Sequence, residues 1–130
     1  MLIGWMPEVG DQFTALMLVA TLPLAVLGTG LLVTARMSTR PDVNLYRSPG
    51  VRTSATLRSR DAWLAAHRAV ERPTLISGSV LSGMSLVNAF VGAFWDVRYA
   101  IVIEFLVLIL LPLFGVWIVW VAHKVARAAA

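Results

Sequence analysis

The sequence predicts an all-α integral membrane protein: three transmembrane helices plus one short cytoplasmic interfacial helix, in a single membrane domain covering residues 1–130. Three observations carry this. Hydrophobic residues make up 58% of the chain and charged residues only 14%, against roughly 25% charged in soluble domains. The apolar residues gather in three stretches, Phe13 to Thr34, about Leu75 to Phe94 and about Tyr99 to Ala122. Each is near the ~20 residues that carry a helix across a ~30 Å hydrocarbon layer. The basic residues are also segregated: ten of the eleven lie in the loop 35–74 or after the third stretch, leaving only Arg98 between the second and third. What remains outside the spans is too little to bury such helices in a soluble hairpin, or to build a separate catalytic domain. The absence of cysteine removes disulfides, thiol catalysis and cysteine-ligated zinc.

The first stretch is expected to stay as a helix. Met1 to Gln12 carries no lysine or arginine, and the apolar run exceeds the ~7–15 residues of a secretion-signal core. The charge asymmetry sets the orientation under the positive-inside rule, with Glu8, Asp11 and the N-terminus outside and the loop and C-terminus in the cytoplasm. Basic residues clustered beside membrane ends serve insertion and anionic lipid, so no nucleic-acid partner is expected.

The loop from Ala35 to Thr74 divides in two. Met37 to Pro49, with Pro41, Asn44 and Pro49, reads as an irregular connection. Ser59 to Arg72 reads as the short helix: Ser59 suits the N-cap, Asp61 the first turn, and Pro73 a stop. Trp63, Ala66, His67 and Val70 share one face, which is expected to lie on the inner membrane surface with Trp63 at headgroup depth.

Gly50, Arg52, Thr53, Thr56, Ser59, Trp63, His67 and Arg68 form a pattern, G-x-R-T-x-x-T followed by Ser, Trp and His-Arg. It resembles the signature of the SdpI family of small bacterial membrane proteins, and the chain corresponds to the signature-bearing part of that family. The resemblance implies a bacterial plasma-membrane location and an immunity protein that protects its producer from a secreted membrane-active peptide toxin. Some members also hold a transcriptional repressor at the membrane.

Taken one by one, the motif residues also have structural readings. Gly50 after Pro49 suits a turn that needs a positive φ. Arg52 with Thr53 and Thr56 could hold a lipid phosphate or a carboxylate, or Arg52 could tie the loop to carbonyls at the ends of the spans, the role favoured here. His67 could bind metal with His123, but a hydrogen-bonded histidine stacked near Trp63 is the better reading, and no metal or other cofactor is expected.

Inside the membrane, Gly78, Ser82, Ser85 and Ala89 recur at helical spacing on the second span, a stripe of small residues suited to close packing within the chain or against another one. Leu81 and Val87 are assigned to its other faces. Glu104 is the one acidic residue inside a span, at a depth matching Asn88. It is either an intramembrane polar site with Asn88 as partner or a carboxylate reaching the outer interface.

With no nucleophile and base pair and no phosphate loop, catalysis is not expected. Two functions remain: immunity or membrane signalling, with a peptide toxin as partner, or a non-catalytic accessory subunit packed on other integral membrane proteins. A homo-oligomer and membrane lipids are further partners of either.

Overall fold

The computed structural model describes residues 7–129, and α1 (Pro7–Ser38), α2 (Arg60–Phe94) and α3 (Val97–Ala128) account for most of them. Residues 1–6 and the side chain of Glu8, both in the segment ahead of the first span, lie outside the described part. All three helices are long and apolar enough to cross a membrane. α2 is central, packing along α1 and α3, which touch each other least.

Local chemistry explains where the helices begin. Ser59 caps α2, its hydroxyl accepting from the Ala62 N–H at 3.0 Å, which satisfies one of the free amides of the first turn. Asp96 caps α3 by accepting from the Arg98 N–H at 2.9 Å. The hydrogen bond from the Arg98 guanidinium holds the Asp96 carboxyl below its ordinary range. The two-residue connection Trp95–Asp96 makes α2 and α3 antiparallel neighbours.

The separate interfacial helix does not form. Residues 60–72 are instead the first turns of a 35-residue α2 that runs straight through Pro73. Proline removes the one backbone donor that the Ala69 carbonyl would otherwise receive, a loss that long membrane helices tolerate. Thr74 Oγ1 donates to the Val70 carbonyl at 2.7 Å and Ser77 Oγ to the Pro73 carbonyl at 2.8 Å, two added bonds in the turns around the proline. At ~1.5 Å per residue α2 is about 52 Å long, so roughly 20 Å of it projects beyond a ~30 Å hydrocarbon layer. That projecting part carries Trp63, which is fully buried within the protein rather than turned toward lipid.

The helices meet along small residues. α1 buries Ala20, Leu24, Gly28, Ala35 and Ser38, while α2 buries Thr74, Gly78, Leu81, Ser85, Asn88 and Gly92. A Cβ on Gly28 would lie 2.7 Å from the Ser82 backbone nitrogen and 2.9 Å from the Gly78 carbonyl oxygen, so α1 and α2 cross almost backbone to backbone at this point. Gly78 and Ser85 are buried and Ser82 and Ala89 half-buried. Leu81, placed on another face by the sequence, is only 5% exposed and belongs to the buried line. α3 buries Ala100 and Glu104 near one end and Ile118, Ala122 and Ala126 near the other, with nothing buried between.

Candidate functional site

The loop between α1 and α2 folds around its own backbone. Asn44 nucleates a turn, its carbonyl accepting from the N–H groups of Arg47 and Ser48 at 3.1 and 2.8 Å and its side-chain oxygen from Tyr46 at 3.0 Å. Arg52 then locks this turn, donating to the carbonyls of Leu45 and Ser48, each at 2.7 Å. Its guanidinium carbon lies 5.6 Å from the centre of the Trp63 ring, within cation–π range. The carbonyls that Arg52 holds belong to the loop and not to the ends of the spans.

The two threonines close the next turn. Thr56, fully buried, accepts from the Thr53 N–H at 2.8 Å and donates to the Val51 carbonyl at 2.9 Å, while Thr53 Oγ1 accepts from the Thr56 N–H at 3.2 Å.

Gly50 has φ +150°, and a Cβ there would strike the His67 ring and lie 3.1 Å from Trp63 Cζ2. Only glycine lets the loop press this closely on the two aromatic rings, which stack with centroids 4.0 Å apart. The Val51 N–H donates to His67 Nε2 at 2.9 Å, so Nδ1 carries the proton and donates to the Trp63 carbonyl at 2.8 Å. Burial lowers the His67 pKa, the Trp63 carbonyl opposes that shift, and the Arg52 charge adds to it.

Two further bonds join this assembly to the helix ends. The indole N–H of Trp63 donates to the Ser38 carbonyl at 2.9 Å, and Arg58 donates to the Ala126 carbonyl, also at 2.9 Å. Each supplies a partner at a helix C-terminus, where carbonyls otherwise lack one. His123 Nδ1 lies 2.9 Å from Thr53 Oγ1, bringing α3 to the same place. His67 and His123, weighed above as a metal pair, are thus engaged with different partners. Arg68 is exposed on α2.

Within the membrane-crossing part, Asn88 joins all three helices, its amide donating to the carbonyls of Ala20 and Ala100, each at 3.2 Å. Glu104 is 3% exposed, its side chain closed in by protein. Asn88 Oδ1, Glu104 Oε1 and Ser82 Oγ are buried without hydrogen-bond partners, and among the described residues Asn88 and Glu104 are not bonded to each other.

Between α1 and α3 a cleft of about 550 Å³ opens. Its walls are α1 from Val26 to Ser38, α2 at Val70, Glu71 and Thr74, and α3 from Leu111 to Val119, and Gly50, Val51 and His67 close its loop end.

The structure thus brings Gly50, Arg52, Thr53, Thr56, Trp63 and His67 into one assembly, with Ser59 capping the helix beside it. Ser38, Arg58, Gly28 and Glu71 are the contributors that sequence reasoning passed over. The glycine pair in the first stretch was a usable signal for Gly28; nothing local marks Arg58, whose partner is 68 residues away.

Searches of curated proteins and of solved structures return no match. The family model described as the SdpI/YfhL protein family matches residues 47–122. That interval is more than half of the chain and runs from the motif loop through α2 and most of α3, so the chain, a multi-pass membrane protein, belongs to the SdpI/YfhL protein family.

Proposed function

We propose that this protein is a non-catalytic immunity protein, protecting its own membrane against a secreted membrane-active peptide, with the motif loop and C-terminus in the cytoplasm. One observation carries the reading: the polar groups of Arg52, Thr53, Thr56, Ser59, Trp63 and His67 are spent on the loop's own carbonyls, on helix ends and on each other. No nucleophile and base pair is left free there for catalysis. What the fold presents outward is membrane-embedded surface, where a peptide in the bilayer would be met. The orientation rests on the basic residues of the loop end.

The test is a deletion strain of the bacterium that carries the gene, challenged with spent medium of the parent while membrane potential is recorded. Expected is faster depolarisation in the deletion strain, reversed by the intact gene; equal depolarisation in both strains overturns the immunity reading.

A second reading, an accessory subunit of a larger membrane complex, is favoured by α3. Only 6% of its most apolar window is buried, and Phe105, Ile109, Leu113 and Val116 are all at least 60% exposed. Comigration with larger membrane proteins in mild detergent would favour that reading, and migration alone would count against it.

A further inference from the structure

The geometry points to a lipid site: we propose that the cleft between α1 and α3 holds one zwitterionic, amine-bearing phospholipid from the leaflet on the loop side. Its acyl chain would lie along the apolar walls and its ammonium would meet the carboxylate of Glu71. This does not depend on the immunity reading.

Depth is the first argument. The α1 wall runs from Val26 to Ser38, about 18 Å at ~1.5 Å per residue, close to half of a ~30 Å hydrocarbon layer. The cleft is therefore one leaflet deep, too short for a spanning peptide helix and matched to a lipid tail. Its volume of about 550 Å³ falls within the ~300–1,000 Å³ of small-molecule sites. Val26 and Val119, both on its walls, are 60% and 43% exposed, so a tail enters sideways from the bilayer without crossing water.

Charge is the second. At the loop end the apolar walls give way to Glu71, whose one hydrogen bond among the described residues is from the Thr39 hydroxyl at 3.4 Å. The only salt bridge among the described residues joins Arg98 to Asp96, at the other end of the helices. Glu71 is thus a carboxylate at a membrane surface, beside an apolar cleft, without a cation. Arg36, Arg40 and Arg72 are exposed at the same end. A headgroup carrying both an ammonium and a phosphate satisfies both sets of charges. A purely anionic headgroup would suit the arginines but oppose Glu71.

Gly30 and Gly115 provide the means of testing this. They line the cleft from α1 and α3, and a Cβ on either meets nothing within 4 Å, so a larger side chain can fill the space without disturbing packing. Gly83 is equally open but lies outside the cleft, and serves as the control.

The full-length protein, purified in mild detergent, is offered equal amounts of phosphatidylethanolamine and phosphatidylglycerol, and bound lipid is counted by native mass spectrometry. Expected is a single retained phosphatidylethanolamine, preferred by about fivefold or more, roughly 1 kcal/mol. Glu71→Gln should abolish the preference. Gly115→Leu and Gly30→Leu should each empty the site while melting at or above the parent temperature, and Gly83→Leu should leave binding unchanged. Equal retention of the two lipids, an undiminished preference in Glu71→Gln, lipid still bound when both cleft glycines are filled, or a copurified peptide in place of lipid overturns the proposal.

Discussion

The backbone N–H of Val51 donates to Nε2 of His67 at 2.9 Å, so the fold of the loop depends on that nitrogen being unprotonated. Burial, opposed by the Trp63 carbonyl and aided by Arg52, puts the folded pKa below the unfolded value of 6.5. Between those two values the unfolded chain binds more protons, and stability rises with pH. The contribution is complete above about 6.5 and is lost as pH falls through the folded pKa. The melting temperature in detergent should therefore drop on acidification below that point, and His67→Gln should flatten the dependence. An unchanged slope in the variant would assign the sensitivity to another group.

Gly50→Ala should destabilise the fold by about 1–3 kcal/mol, the range for a side chain forced into a backbone conformation it rarely adopts. Its φ is +150° and its Cβ would press on His67 and Trp63. Gly30→Ala, where a Cβ meets nothing within 4 Å, should be neutral or stabilising by up to ~1 kcal/mol. Thermal melts of the two variants beside the parent make the comparison.

Gly28→Ala should cost about 1–3 kcal/mol, as overpacking does, because the new methyl would sit 2.5 Å from Ser82 Oγ and 2.9 Å from the Gly78 carbonyl oxygen. Val87→Leu, at a position 57% exposed, should stay within ~0.5 kcal/mol. If Val87→Leu melts lower than Gly28→Ala, the crossing of α1 and α2 lies elsewhere.

With the other four tryptophans replaced, Trp63 should emit at short wavelength and resist quenching by brominated lipid, since its side chain is closed off by protein. Trp63→Phe should lose at least ~1–3 kcal/mol, because it leaves the buried Ser38 carbonyl without its donor. Strong quenching by shallow bromine would return the indole to the membrane surface.

A cysteine placed at Tyr46, 90% exposed in the loop, should react with an impermeant maleimide only after the membrane is permeabilised. Ser48 is a poor site for this label, being only 9% exposed with its carbonyl held by Arg52. Labelling of intact cells reverses the proposed orientation.

The three apolar helices were legible because hydropathy over some twenty residues is a local property. The face shared by Trp63, Ala66, His67 and Val70 was legible too, and all four are buried. What periodicity does not contain is the identity of the covering surface, and this face meets the loop and the neighbouring helices, not lipid. Pro73 misled for a related reason: the stop rule weighs the one backbone bond lost, to the Ala69 carbonyl, whereas a long membrane helix tolerates that loss, and Thr74 and Ser77 just after the proline add hydroxyl bonds to the same turns. Leu81 was misassigned because a stripe of small residues marks close approach without showing how wide the buried face is. Asn88 and Glu104 were expected to pair with each other, yet the Asn88 amide spans to two carbonyls on other helices, a preference that no spacing within α2 encodes.

The bond from Arg58 to the Ala126 carbonyl bears on how the molecule is made. The motif leaves the ribosome well before its last partner has been translated, and 68 residues at about 5–20 per second take roughly 3–14 s. During that interval the α3 contacts of Arg58 and Thr53 cannot exist, whereas the bonds of Arg52, Thr56, Val51 and Trp63, all made within residues 38–67, already have both partners. Attachment of the loop to α3 is therefore a final event of biogenesis, set by the arrival of the third helix. A chain arrested before Ala126 would keep the turns of the loop but leave the Arg58 guanidinium without its helix-end partner, a free charge that marks the unfinished protein.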